Sequence, residues 1–132
     1  MSADANVEVV SRFTKALARG DYDEAAAMLT PDFTVEDTDI PESTGADSFY
    51  EWMGRWDAAF ESWRIEDVEV RAIDESRTLS MFRIYVKGRG SGVELVRDDG
   101  VIAELRDAKI VRIAYYNDQS QALDAAGLSA PD

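Results

Sequence analysis

Hydrophobic positions in the first part of the chain recur at three- and four-residue spacing, and from Trp63 onward they alternate. That change of period divides the chain into a helical front and a stranded back. Val7, Val10, Phe13 and Leu17 form one stripe over residues 6–18, with Asn6 as the expected N-cap and Gly20 as the stop. Asp21 followed by Glu24 has the form of a capping box and opens a second helix, "DYDEAAAML", expected to end at Thr30 and Pro31. A strand is expected over residues 33–37, followed by a loop through Pro41. Thr44 with Asp47 repeats the capping-box form ahead of "SFYEWMGRWDAAF", whose Phe49, Trp52, Met53, Trp56 and Phe60 make an aromatic stripe. Such a stripe packs on a sheet as core or walls a ligand site, and a helix that roofs a cavity does both.

The segments "WRIEDVEVRAID", "TLSMFRIYVKG", "GVELVRDDGVIAEL" and "AKIVRIAYYND" read as four strands. Residues 74–76, 88–92 and 106–108 supply the joints, which are short enough for an antiparallel meander. Asp118 and Gln121 cap a last helix, "SQALDAA", terminated by Gly127, and the tail "SAPD" is expected to be disordered. No internal repeat is present. The pattern predicts an α+β fold in a single domain over 1–132, with an ordered core of about 6–128.

Composition narrows the chemistry. The chain has 132 residues, 45% of them hydrophobic, which suffices for a sizeable core. Its formal net charge of -13 repels phosphate backbones and anionic lipid headgroups, which argues against nucleic acid and membrane surfaces as partners. No cysteine and no histidine occur. Disulfides, thiolate metal sites and imidazole-activated nucleophiles are thereby excluded, and acid–base work falls to Asp, Glu, Tyr, Lys or water. The N-terminal "MSADANVEVV" has neither a basic n-region nor an apolar h-region, and no apolar run approaches membrane-spanning length, so a cytoplasmic protein is expected. Glycines 88, 90 and 92 lie between two strands with no helix following, which makes a hairpin turn rather than a phosphate loop. The acids at 66, 67 and 69 and between 36 and 42 lack calcium-loop spacing and read as solvated surface. Neither metal nor cofactor is expected.

A few polar residues stand out against this pattern. Phe33, Val35 and Asp37 share one strand face, so Asp37 either extends the core face to a cavity mouth, as a general base, or ends the strand as a backbone acceptor. Arg83 shares a face with Leu79, Met81 and Tyr85. Facing inward it needs Asp37, another acid or a ligand anion; facing outward it is an arginine on the face of a dimer-forming sheet. Tyr85 and Tyr115 either donate phenolic hydrogen bonds to a ligand or pack on the sheet.

The succession "VSRFTKALARGDYDEAAAMLTPDFTVED", "GRGSGVEL" and "LRDAKIVRIAYYNDQSQALDAAGL" resembles the SnoaL-like branch of the nuclear-transport-factor-2-like, ketosteroid isomerase-like superfamily, over about 7–128. The resemblance implies a cystatin-like roll: a cone-shaped curved sheet, mixed or antiparallel, wrapped around N-terminal helices. It also implies a homodimer through the sheet's outer face. Against ketosteroid isomerase, Asp37 stands at the general base, whereas Phe13 and Val101 replace the two oxyanion-hole donors. Removing one such donor costs about 2.7–4 kcal/mol of barrier stabilisation, so steroid isomerisation by that route is not expected. Against limonene epoxide hydrolase, Arg83 matches the arginine, but Tyr85 and Tyr115 replace its carboxylates. SnoaL-like cyclases often carry a cavity acid on the strand that here holds Asp99; if Val101 faces inward, as the isomerase match implies, alternation puts Asp99 on the same side. "RDDG" is equally a turn sequence, and Asp-Asp-Gly chemistry favours that reading.

The resulting expectation is a SnoaL-like pocket protein for an apolar, oxygenated small molecule. It would act as a cofactor-independent isomerase, cyclase or lyase, with Asp37, and secondarily Asp99, as acid–base groups. Arg83, Tyr85, Tyr115, Phe13, Trp52, Trp56 and Val101 would line the pocket. The rival is a non-catalytic ligand-binding or dimerisation module whose aromatic residues fill its own cavity. A volume of about 300 Å³ or more separates the two.

Overall fold

The computed structural model describes residues 3–37 and 43–128. Helix α1 (Ala3–Ala18) begins earlier than its expected cap. Asn6 is an interior, buried helix residue whose Nδ2 donates to the Glu75 carbonyl at 2.7 Å, tying the helix to the turn between the second and third strands. The next helix, α2 (Tyr22–Ala26), is opened by Asp21, whose carboxylate accepts from the Glu24 N–H. It ends earlier than Thr30 because those residues join the first strand, β1 (Leu29–Glu36). Helix α3 (Gly45–Ala59) has Thr44 at its N-cap, yet no side-chain bond caps it. Gly45 enters at a φ of +67°, and a Cβ there would meet the Pro31 carbonyl oxygen at 2.7 Å. The loop acids between 38 and 42 and the tail 129–132 lie outside the described residues.

Strands β2 (Phe60–Ala72), β3 (Arg77–Gly88), β4 (Glu94–Arg106) and β5 (Lys109–Tyr116) form the expected antiparallel meander. The β4–β5 joint is a two-residue hairpin with Asp107 and Ala108 both at positive φ, as a type I′ turn requires. β1 then adds to β5 in parallel, giving the order β1-β5-β4-β3-β2 in a sheet that is mixed. Sheet and helices share one large core: Val10, Phe13 and Ala16 of α1 and Phe49, Trp52 and Met53 of α3 pack with Phe33, Val35, Leu105, Ile110 and Ile113. Helix-borne residues thus touch both sheet edges and its middle, and the sheet curls around them.

The other face of the sheet receives α4 (Gln119–Ala125). Its Asp118 cap accepts from the Ser120 and Gln121 N–H groups, and Leu128 N–H returns to the Leu123 carbonyl beyond Gly127. Ala122, Leu123 and Ala126 pack there on Leu79. "RDDG" is therefore a strand and not a turn. Asp98 and Asp99 pair with Arg83 and Phe82, and Gly100 pairs with Met81 and Tyr116 on either side. A Cβ on Gly100 would come within 2.6 Å of the Ala122 Cβ, so this glycine admits α4 to the sheet rather than bending the chain. Among the described residues no helix is long and apolar enough to cross a membrane.

Candidate functional site

Alternation along β4 sends Arg97, Asp99, Val101, Ala103 and Leu105 to the face enclosed by the helices. Asp99 is fully buried (0% exposed). A bare carboxylate in that position is untenable without partners, and it has three strong ones. Arg97 Nε donates to Oδ1 at 2.5 Å, Arg97 Nη2 donates to Oδ2 at 2.8 Å, and the Tyr115 hydroxyl donates to Oδ2 at 2.5 Å. The Asp99 bond holds the Arg97 guanidinium above its usual range. Burial, reinforced by the Asp99 carboxylate, pushes the Tyr115 phenol well above its ordinary value. Tyr115 is consequently a neutral donor throughout the physiological range.

Asp37 lies just past the end of β1, where Trp52 from α3 donates its indole N–H to Oδ2 at 2.8 Å. Its charge reaches Tyr115, where it adds to the upward push on the phenol. The Tyr115 ring makes edge contact with Trp52 and Trp56, at centroid distances of 6.1 and 5.4 Å, and packs against Phe82. The end of β1, α3, β5 and β4 thus bring Asp37, Trp52, Tyr115 and Asp99 together.

Two cavities flank this group. The inner one, about 60 Å³, is lined chiefly by apolar side chains, with Phe13, Trp56, Phe82, Val101 and Tyr115 among them. Its mouthward neighbour, about 190 Å³, is lined by Asp37, Arg55, Trp56, Phe60, Arg97 and Asn117. Trp56 alone belongs to both linings. Neither volume reaches about 300 Å³, the lower end for ligand pockets.

Arg83 and Tyr85 lie elsewhere. Both are on the outer face of β3, where Arg83 Nε meets Asp98 Oδ1 at 3.1 Å and the Arg64 guanidinium sits 4.0 Å over the Tyr85 ring. The physical reason is register: Phe82, Ile84 and Val86 take the buried face of β3, which leaves the intervening residues outside. The sequence reading overlooked Arg97, Arg55 and Asn117. Arg97 was accessible to it, since the alternation that aligns Asp99 with Val101 also aligns Arg97. Arg55 and Asn117 carry no such signal. Among the described residues no group of three or more acids is placed to hold a metal ion.

A SnoaL-like domain profile matches residues 10–113 of this chain. Among solved structures, a candidate polyketide cyclase from Xanthomonas campestris pv. campestris superposes with a TM-score of 0.78 at 21% identity, covering 94% of this chain and 98% of the other. TerC, co-crystallised with polyporic acid, gives 0.74 at 15% identity, covering 93% and 98%. A hypothetical protein of ketosteroid isomerase-like fold from Catenulispora acidiphila, in complex with trimethylamine, gives 0.72 at 17%, covering 94% and 98%. At these identities the likeness establishes the fold. No curated protein matches the sequence.

Proposed function

The chain belongs to the SnoaL-like family of the nuclear-transport-factor-2-like superfamily, and on that premise we propose that it binds an apolar, oxygenated small molecule and moves a proton on it without a cofactor. The observation that carries this reading is the buried Asp99 carboxylate bound by Arg97 and Tyr115 and set beside Asp37, where a polar mouth meets an apolar chamber. In this reading Asp37 is the general base. The Trp52 indole orients its carboxylate, which takes a proton from carbon next to a substrate carbonyl. Negative charge then develops on the carbonyl oxygen, and Arg97 meets it with the guanidinium that Asp99 holds in place. Asp99 itself is a positioning residue here, because its oxygens are engaged by Arg97 and Tyr115. Isomerisation, aldol cyclisation and elimination all begin with this proton transfer. The polyketide-cyclase assignment of one structural neighbour, and the co-crystallisation of another with polyporic acid, support this substrate chemistry.

The test uses 2-tetralone, an apolar ketone with exchangeable α-protons. Incubated in D2O with the purified protein, it is expected to lose its α-proton NMR signal faster than in buffer. In Asp37→Asn the enhancement should fall by about 10²-fold or more, the usual contribution of a positioned base. Equal enhancement in Asp37→Asn removes Asp37 from the mechanism. No enhancement in the wild-type protein favours the second reading, a non-catalytic binding module, which the small aromatic-lined inner chamber of about 60 Å³ supports. We propose further that two copies associate through the outer face of the sheet, where Val96 is exposed beside its cross-strand partner Tyr85. Sedimentation velocity at micromolar concentration checks this, and a monomer would overturn it.

A further inference from the structure

Among the described residues, five buried side-chain polar atoms have no hydrogen-bond partner: Asn6 Oδ1, Thr30 Oγ1, Ser48 Oγ, Thr78 Oγ1 and Ser80 Oγ. Of their residues, Ser80 alone lines the apolar inner chamber, and it is only 2% exposed. A hydroxyl at that place is costly to leave unpaired, and alanine or valine would fill a strand position there without the cost. Across the sheet, Ser80 pairs with Val101, which pairs with Tyr115, so these residues form one row on the chamber floor. Arg97 pairs with Ile84, four residues further along β3. From strand rise and spacing, the Cα atoms of Arg97 and Ser80 stand about 14 Å apart. The reach of the arginine side chain shortens that span to the length of a flat molecule of two fused rings. The intervening wall is aromatic, with Trp56 packed against Phe60, Trp63 and Tyr115 rather than fixed by a hydrogen bond among the described residues.

We infer that Ser80 is a specificity-determining residue: its hydroxyl reads an oxygen at the buried end of a flat, two-ended ligand whose other oxygen lies at Arg97 and Asp37, with the Trp56 indole turned aside to join the two cavities. The inference deepens the pocket reading above and rests on it. The ligand class is a rigid, apolar two-ring scaffold with oxygens at both ends, of which a naphthalenediol is the simplest probe. A singly oxygenated analogue fills the same chamber but leaves Ser80 unpaired.

Isothermal titration calorimetry with naphthalene-2,6-diol and 2-naphthol, on the wild-type protein and Ser80→Ala, tests this. In the wild type the diol is expected to bind about tenfold more tightly, roughly fivefold from one added hydrogen bond and twofold from its equivalent ends. In Ser80→Ala the ratio should fall to about two, with 2-naphthol bound at least as well as before. Thermal melting of Ser80→Ala serves as the folding control and should lie at or above the wild type, since no protein bond is deleted and an unpaired buried hydroxyl is removed. The same ratio in both proteins, or a wild-type ratio of only about two, overturns the Ser80 assignment while leaving the pocket in place. Failure of both naphthols to bind the wild type overturns the pocket reading and this inference together.

Discussion

Asp98 and Asp99 are neighbours in the chain, each pairs with an arginine, and the two pairs lie on opposite faces of one sheet. Outside, Arg83 and Asp98 face each other across β3 and β4 at 3.1 Å with side chains 46% and 54% exposed. Inside, Arg97 binds an Asp99 that is 0% exposed, and Tyr115 adds a third bond. The Asp98 bond also raises the Arg83 guanidinium pKa, so the two arginines shift in the same direction. Their consequences differ because water competes for the outer pair at every moment, whereas the inner carboxylate has only the protein. The same dipeptide therefore supplies a surface contact and the anchor of the candidate site.

The largest effect should come from stripping the inner pair. Arg97→Met strands a buried carboxylate and is expected to cost about 3 kcal/mol in urea denaturation, the low end for a broken buried pair because water still reaches Arg97. Joint replacement, Arg97→Met with Asp99→Leu, should recover much of that loss. If it does not, the inner pair is not costly in the way the comparison requires. Tyr115→Phe removes one bond to the same charge and leaves the arginine, so a loss of about 1.5 kcal/mol is expected. It also deletes the neutral phenol from the chamber wall, which near-ultraviolet absorbance in an alkaline titration reports as one fewer late-titrating tyrosine.

On the outer face Arg83→Met should leave the urea midpoint within experimental scatter at both low and high salt. A loss matching that of Arg97→Met would break the comparison. A third aspartate sharpens it. Asp74, in the β2–β3 turn, is solvent-facing, yet its carboxyl is lowered from 3.8 to about 2, first by the Ser76 N–H and then by the Arg77 side chain. A lowered value means that the folded state favours the charged form, so its contribution is complete above about pH 4 and is lost as pH falls through about 2. The difference in denaturation midpoint between wild type and Asp74→Asn should be small at pH 6 and shrink progressively between those limits. A difference constant with pH would show that backbone N–H groups do not hold this charge.

How far the sequence reached can be judged at particular residues. The change of hydrophobic period marked the helical front and the stranded back because burial on one face is a local, repeating requirement. The meander followed from turn chemistry at 74–76, 88–92 and 106–108. Alternation along single strands placed Phe33 with Val35, and Asp99 with Val101, since a strand exposes its residues to two faces in turn. Which face is inner is not a property of one strand. Arg83 and Tyr85 went outward because the register of β3 gives Phe82, Ile84 and Val86 to the core. Asn6 became an interior helix residue because a carbonyl from residue 75 arrives beside it. Gly100 looked like a turn until α4 was packed against it. The charge, composition and strand periodicity were written in the sequence because they depend on neighbours in the chain. The meeting of Asp37, Trp52, Tyr115 and Asp99, and the hydroxyl of Ser80 left unpaired in the chamber, depend on neighbours in space, which only the folded sheet supplies.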